Sequence, residues 1–199
     1  EMKKTSQRSL PNTKHFEKFL NSRYGRGVLE KFNKEKKFIE NPADLIVGKY
    51  RHRPKNYLDI GGGTGVRTMK VLKGLGIKKL DFLEPSGKAA ENFRKIARKS
   101  EIGINVINSS FENFKPKKKY DFVTSIHSWY YIELNALSKL YALLADGGLA
   151  YIFLDSEEDT IKKIQDICER DFLDYKSNNA EDVCKRLDDQ EKKPDIVVV

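Results

Sequence analysis

No stretch of this 199-residue sequence approaches 18 apolar residues, so no segment is suited to cross a membrane as a helix. The N-terminal region also lacks the combination of basic start, apolar run and small-residue cleavage site that marks a secretory signal. Cysteine is scarce. The two present, Cys168 and Cys184, stand far apart and form no C-x-x-C pair with histidine nearby, which argues against a disulfide framework or a zinc site. Reduced structural thiols, no metal and a cytoplasmic protein are therefore expected.

What is present suffices for one core. With 39% hydrophobic residues, the chain can bury a sizeable interior without covalent staples. Its charge is uneven: residues 1–56 hold 15 Lys/Arg against 6 Asp/Glu, and residues 57–199 hold 23 of each. The formal excess of +9 thus lies wholly in the N-terminal part. A basic segment of this kind suits RNA, DNA or an anionic substrate, while runs such as Lys34-Glu35-Lys36-Lys37 equally suit a solvated helix face.

The densest information lies in Tyr57-Leu58-Asp59-Ile60-Gly61-Gly62-Gly63-Thr64-Gly65, an apolar strand running into a glycine turn. Missing Cβ atoms allow positive φ and let the backbone approach a bound nucleoside. Spacing narrows the ligand. Glycines at 61, 63 and 65 with Val at 66 depart from the dinucleotide fingerprint, and Arg67-Thr68 replaces the Gly-Lys of a phosphate loop.

About twenty residues on, the apolar strand Lys79-Leu80-Asp81-Phe82-Leu83 ends at Glu84-Pro85-Ser86, and a carboxylate at a strand tip can accept two ribose hydroxyl bonds. Together these stretches resemble the cofactor half of the class I S-adenosylmethionine-dependent methyltransferases. The resemblance implies an α/β, Rossmann-like, doubly wound and mostly parallel sheet. It also implies that Asp59, Gly61, Gly63, Gly65 and Glu84 hold S-adenosylmethionine, with S-adenosylhomocysteine as product.

Periodicity places further elements. Apolar spacing predicts helices over 15–20 and 28–33, and Asn41-Pro42 reads as a break. Helices follow over 64–73, 87–99 and 134–144, with strands over 102–107, 122–126 and 149–154. Beyond these, 160–172 and 179–187 read as helices and 196–199 as a β-branched strand. The expected division is a basic helical cap over 1–55 and a cofactor-binding domain over 56–199. The methyltransferase fold usually adds a reversing edge strand for which no residues remain, and position 1 is not Met. A fragment or processed chain is expected.

Chemistry is expected after the fourth strand, in Ile126-His127-Ser128-Trp129-Tyr130-Tyr131-Ile132, because ligands of open α/β sheets lie beyond the carboxyl ends of the strands. This stretch, with its Tyr-Tyr pair, is similar to histamine N-methyltransferase and its relatives. That resemblance implies that Ile126 contacts the cofactor and that His127, Tyr130 and Tyr131 line the acceptor site. Those relatives hold the substrate ammonium with an N-terminal glutamate, whereas Tyr24-Gly25-Arg26-Gly27 offers no carboxylate. Related enzymes also bond the adenine amino group near the position of Ser110, with the next N–H, that of Phe111, reaching the ring. Ser110 equally suits a cap, His127 a structural histidine, and the aromatic cluster a core.

The reaction implied is displacement at a sulfonium methyl by a nitrogen or oxygen of a small-molecule acceptor, with the protein aligning and desolvating the partners. A monomer is expected. Alternatives are an RNA or protein methyltransferase using the basic N-terminal segment, a non-catalytic cofactor-binding scaffold, and a nicotinamide enzyme.

Overall fold

The structure, a computed structural model, describes residues 42–50, 53–158 and 177–190, with Lys162 and Asp166. The chain divides into two units, residues 1–38 with 158–177 and residues 39–157 with 178–199. In the first, Lys162 donates to Asp166 one helical turn away. The second contains the sheet. The helices expected over 15–20 and 28–33 and the strand over 196–199 lie outside the described residues. So does the helix over 160–172, apart from Lys162 and Asp166.

Five strands, β1 (Tyr57–Ile60), β2 (Lys79–Leu83), β3 (Gly103–Ile107), β4 (Tyr120–Ile126) and β5 (Leu144–Phe153), form one sheet in the order β3-β2-β1-β4-β5. All four pairings are parallel. Alternation along the strands sorts their side chains into two apolar layers. Leu58, Ile60, Leu83 and Val123 join Leu137, Leu140 and Leu143 of one helix (Ala136–Leu143) and Val183 and Leu187 of another (Ala180–Asp188). Tyr57, Leu80, Phe82 and Phe122 join Ala43 and Ile46 (helix Pro42–Lys49), Val71 and Leu72 (Val66–Leu75) and Phe93 (Gly87–Ala97). In chain order these helices are α1 (42–49), α2 (66–75), α3 (87–97), α4 (136–143) and α5 (180–188).

Local chemistry sets their ends. The α2 helix runs between left-handed Gly65 and left-handed Gly76, and the Gly76 and Ile77 N–H groups return to the Lys73 and Leu72 carbonyls. Ser86 caps α3 by accepting the Ala89 N–H. A reciprocal box opens α5: Asn179 Oδ1 accepts the Asp182 N–H at 2.8 Å, and Asp182 Oδ2 accepts the Asn179 N–H at 3.1 Å.

The break expected at Asn41-Pro42 borders residues outside the described ones; Pro42 itself starts α1, a helix the sequence reading did not include, where the missing N–H costs nothing and the fixed φ suits the first turn. One expectation needs correction. Strand β5 begins at Leu144 and not at Leu149, because Asp146-Gly147-Gly148 forms an irregularity within the strand that shifts its register against β4. Gly148 is required there, since a Cβ would lie 2.8 Å from the Tyr120 carbonyl oxygen.

Candidate active site

Strand β1 is flanked by β2 on one side and β4 on the other, so the chain leaves it in one direction and returns on the opposite side. The crevice at the carboxyl ends of β1 and β4 is the place where such sheets bind ligands. Three loops converge on it: 61–65 after β1, 84–86 after β2, and 127–131 after β4.

The three predicted glycines all have positive φ, 67° at Gly61, 56° at Gly63 and 74° at Gly65, but they serve two purposes. Gly65 is a packing glycine, because a Cβ there would lie 2.0 Å from the Phe93 ring. At Gly63 a Cβ would meet nothing within 4 Å among the described residues. The backbone at Gly63 thus borders open space, as a surface approached by a ligand requires.

Glu84 joins this turn to β2. It is 6% exposed, and its Oε2 accepts the Gly63 N–H at 2.8 Å while Oε1 accepts the Ser86 N–H at 2.8 Å. A carboxylate has about four acceptor positions, so these two bonds orient the group and leave it capacity for hydroxyl donors. Glu84 and the glycine turn, paired from sequence, stand in direct contact.

Asp59 lies deeper, 3% exposed beneath the turn. Its Oδ2 accepts the Thr68 hydroxyl and its Oδ1 the Thr124 hydroxyl, both at 2.5 Å, which ties β1 to α2 and β4. Burial raises its pKa to about 6, against the lowering effect of both threonine bonds, and the charge of Glu84 adds to the rise. Asp59 therefore supports the turn from below.

After β3, Asn108 Nδ2 donates to the Glu84 and Pro85 carbonyls, each at 2.9 Å, and so fixes this loop beside the Glu84 tip. The Ser110 hydroxyl accepts the Asn113 N–H at 3.4 Å, a capping contact. Phe111 buries its ring against Trp129, with centroids 5.5 Å apart. Lys139 from α4 secures the turn by donating to the Phe111, Glu112 and Phe114 carbonyls. The Phe111 side chain thus belongs to the core.

At the exit of β4, Ile126 is half-buried in the layer beneath, and His127 is the one non-glycine residue with positive φ among the described residues, at 55°. Tyr130 is buried and Tyr131 half-buried, with their rings 6.3 Å apart at 69°. Trp129 is wholly buried in the core, and its Nε1 has no hydrogen-bond partner among the described residues. Ser128 closes the base of the crevice, donating to the Ile60 carbonyl at 2.6 Å and standing where a Cβ on Gly61 would fall.

Sequence reasoning missed two contributors. Asp155, just past β5, bonds the Tyr130 hydroxyl at 2.7 Å; the only cue was an acidic residue at a strand's carboxyl end. Asn178 holds the Trp129 and Ile132 carbonyls through Nδ2, at 3.0 and 2.7 Å, and nothing in its neighbours announced that role.

Comparison with known proteins agrees with this geometry. The chain is similar to malonyl-[acyl-carrier protein] O-methyltransferase 2 of Ilyobacter polytropus, 31% identical over 78% of this chain and 58% of the relative. Malonyl-[acyl-carrier protein] O-methyltransferase 1 of the same organism is 28% identical over 66% of this chain and 50% of that protein. The chain spans about half the length of these curated relatives. The backbone is similar to that of mycolic acid cyclopropane synthase CmaA1, with a TM-score of 0.60 and 17% identity over 74% of this chain and 58% of that one. The finer likeness to histamine N-methyltransferases is corrected here, because these curated relatives are O-methyltransferases, and an aromatic pair after β4 is too short a motif to separate such branches. A family model described as a methyltransferase domain matches residues 30–184, most of the chain, and with the parallel sheet and its glycine-carboxylate crevice this establishes that the chain belongs to the methyltransferase domain family.

Proposed function

We propose that this protein transfers a methyl group from S-adenosylmethionine to a nitrogen or oxygen of a small acceptor. The observation that carries the reading is the contact between Gly63 and Glu84: an open left-handed glycine and a buried, oriented carboxylate at neighbouring strand tips. That pair suits a nucleoside, whose ribose donates two hydroxyl hydrogens and whose sugar face needs close backbone approach. Glu84 would grip the ribose, Gly61, Gly63 and Gly65 would form the floor, and the Ser110-Phe111 backbone would face the adenine. Asp59 keeps the floor in place from below. The cofactor supplies an activated methyl on a sulfonium and leaves as a neutral thioether.

For such a reaction the protein has to align the acceptor and exclude water. The acceptor side falls to His127, Tyr130 and Tyr131, at the exit of the strand adjoining β1. The curated relatives are named for malonyl-[acyl-carrier protein], which supports a second reading, a carrier-borne carboxylate as acceptor. Calorimetry with S-adenosylhomocysteine and, separately, NAD tests the first reading. Binding of the former at micromolar Kd with no binding of NAD is expected; the reverse would refute it.

A further inference from the structure

We propose that Ser128 is a positioning residue that joins the acceptor-side loop to the cofactor turn, so that a nucleoside seated on the turn also fixes the backbone of residues 129–132. This rests on the methyl-transfer reading above.

Strands β1 and β4 run in register from Tyr57 opposite Phe122 to Asp59 opposite Thr124, and their pairing ends there. Ile60 and Ser125, one residue further on, are no longer paired, which opens the crevice between the two strand ends. The Ile60 carbonyl finds its partner off the ladder instead: Ser128 Oγ donates to it at 2.6 Å. Ser125 Oγ, 1% exposed, stands 2.6 Å from Ser128 Oγ. A carbonyl can only accept, so the single Ser128 proton is committed to Ile60 and Ser125 is the donor in the other contact. A chain of two hydroxyls thus spans the gap where the strands part.

The position of Ser128 makes this choice of partner informative. It is the N-cap of the short turn Trp129–Tyr131, where a serine hydroxyl ordinarily accepts an amide of the turn it precedes. It makes no such bond, and its hydroxyl reaches back 68 residues to β1. Contact with the glycine turn is equally close. A Cβ on Gly61 would lie 2.4 Å from Ser128 Cβ and 2.9 Å from its Oγ, so Gly61 and Ser128 cannot shift independently. Gly61 in turn donates its N–H to the Leu83 carbonyl at 2.7 Å, one residue before Glu84.

The far side of the loop has its own anchors. His127 donates its N–H to the Phe153 carbonyl at 2.9 Å, and Asn178 holds the Trp129 and Ile132 carbonyls. These keep the loop folded, whereas Ser128 sets its place against the turn. That place matters because a methyl group passes from a donor on residues 61–65 to an acceptor beside residues 127–131, and a misplacement of about 1 Å can cost on the order of 10²-fold in rate.

Amide hydrogen exchange of the full chain, followed by NMR with and without saturating S-adenosylhomocysteine, tests the link. In the wild type the ligand should slow exchange at the 129–132 amides about 5-fold, the factor that one neutral hydrogen bond contributes. In S128A that slowing should vanish while slowing at the 61–65 amides remains, and affinity should fall no more than about 5-fold, as reciprocity of coupling requires. S128C, with a weaker donor, should recover part of the effect. S125A leaves the bond to Ile60 in place and removes only the group that orients it, so slowing at 129–132 should be reduced; this variant decides if S128A does not fold. Absence of slowing at 129–132 in a wild type that binds the ligand, or undiminished slowing there in folded S128A or in S125A, overturns the proposal. Failure of the wild type to bind S-adenosylhomocysteine instead marks failure of the methyl-transfer reading.

Discussion

The Gly63 amide donates to Glu84 Oε2 at 2.8 Å, across 21 residues of sequence, and joins the turn after β1 to the tip of β2. One bond thereby presets both halves of the proposed nucleoside site. The Ser86 amide does the same for Oε1, so the carboxylate is oriented before any ligand arrives.

Replacing Glu84 with Gln keeps the shape but leaves one oxygen to serve two backbone donors and removes the charge. Hydrogen bonds to a charged group contribute about 1.5–3 kcal/mol, so affinity for S-adenosylhomocysteine should fall roughly 10- to 100-fold by calorimetry. Unchanged affinity in a folded E84Q would count against the ribose grip.

Glycine positions 63 and 65 should respond differently to alanine. G65A drives a Cβ into Phe93 at 2.0 Å and should lose stability by overpacking of about 1–3 kcal/mol on top of left-handed strain. G63A meets no neighbour among the described residues, so thermal unfolding should register only the strain, about 1–2 kcal/mol, while ligand binding is lost. Equal stability losses would show that Gly63 is a packing residue as well.

Asp59 imposes a pH dependence. Its folded pKa, raised by burial to about 6, exceeds the ordinary value near 3.9, so the native state binds more protons between those limits. Its stabilising contribution is complete below about pH 4 and disappears as pH rises through 6, a change on the order of 2–3 kcal/mol. Denaturant unfolding of wild type and D59N across pH 4–7 should show this decline in the wild type alone; parallel curves would contradict it.

Trp129 is the chain's only tryptophan, and it is fully buried. Its fluorescence should shift to the red on unfolding and serve as the probe for these measurements. Because Nε1 has no acceptor among the described residues, W129F relieves an unsatisfied donor worth about 1–3 kcal/mol while opening a small void. A net change within about 1 kcal/mol is expected, against a loss of about 3–5 kcal/mol for W129A.

The legible parts of the chain were those where sequence and tertiary constraint agree. Lys79–Leu83 is an apolar run bounded by a glycine-ended helix and by Glu84-Pro85, and its limits match the observed strand. The α1 helix was hidden because Pro42 carries two meanings, breaker and first residue, and only the following turn decides between them. The start of β5 was hidden because Asp146-Gly147-Gly148 has turn composition yet lies in a bulged strand. Asp155 could not be singled out because its significance comes from Tyr130, 25 residues earlier and adjacent only once β4 and β5 pair. Asp59 was legible as part of the motif, but its burial under Thr68 and Thr124 depends on which face of β1 meets α2.

A crystal structure with S-adenosylhomocysteine bound tests the central claim most directly. The account predicts ribose hydroxyls within about 2.7–3.2 Å of the Glu84 carboxylate and the sugar seated against Gly63. A nucleoside bound away from the β1 and β2 tips, or a Glu84 contacting only the Gly63 and Ser86 amides, would contradict it.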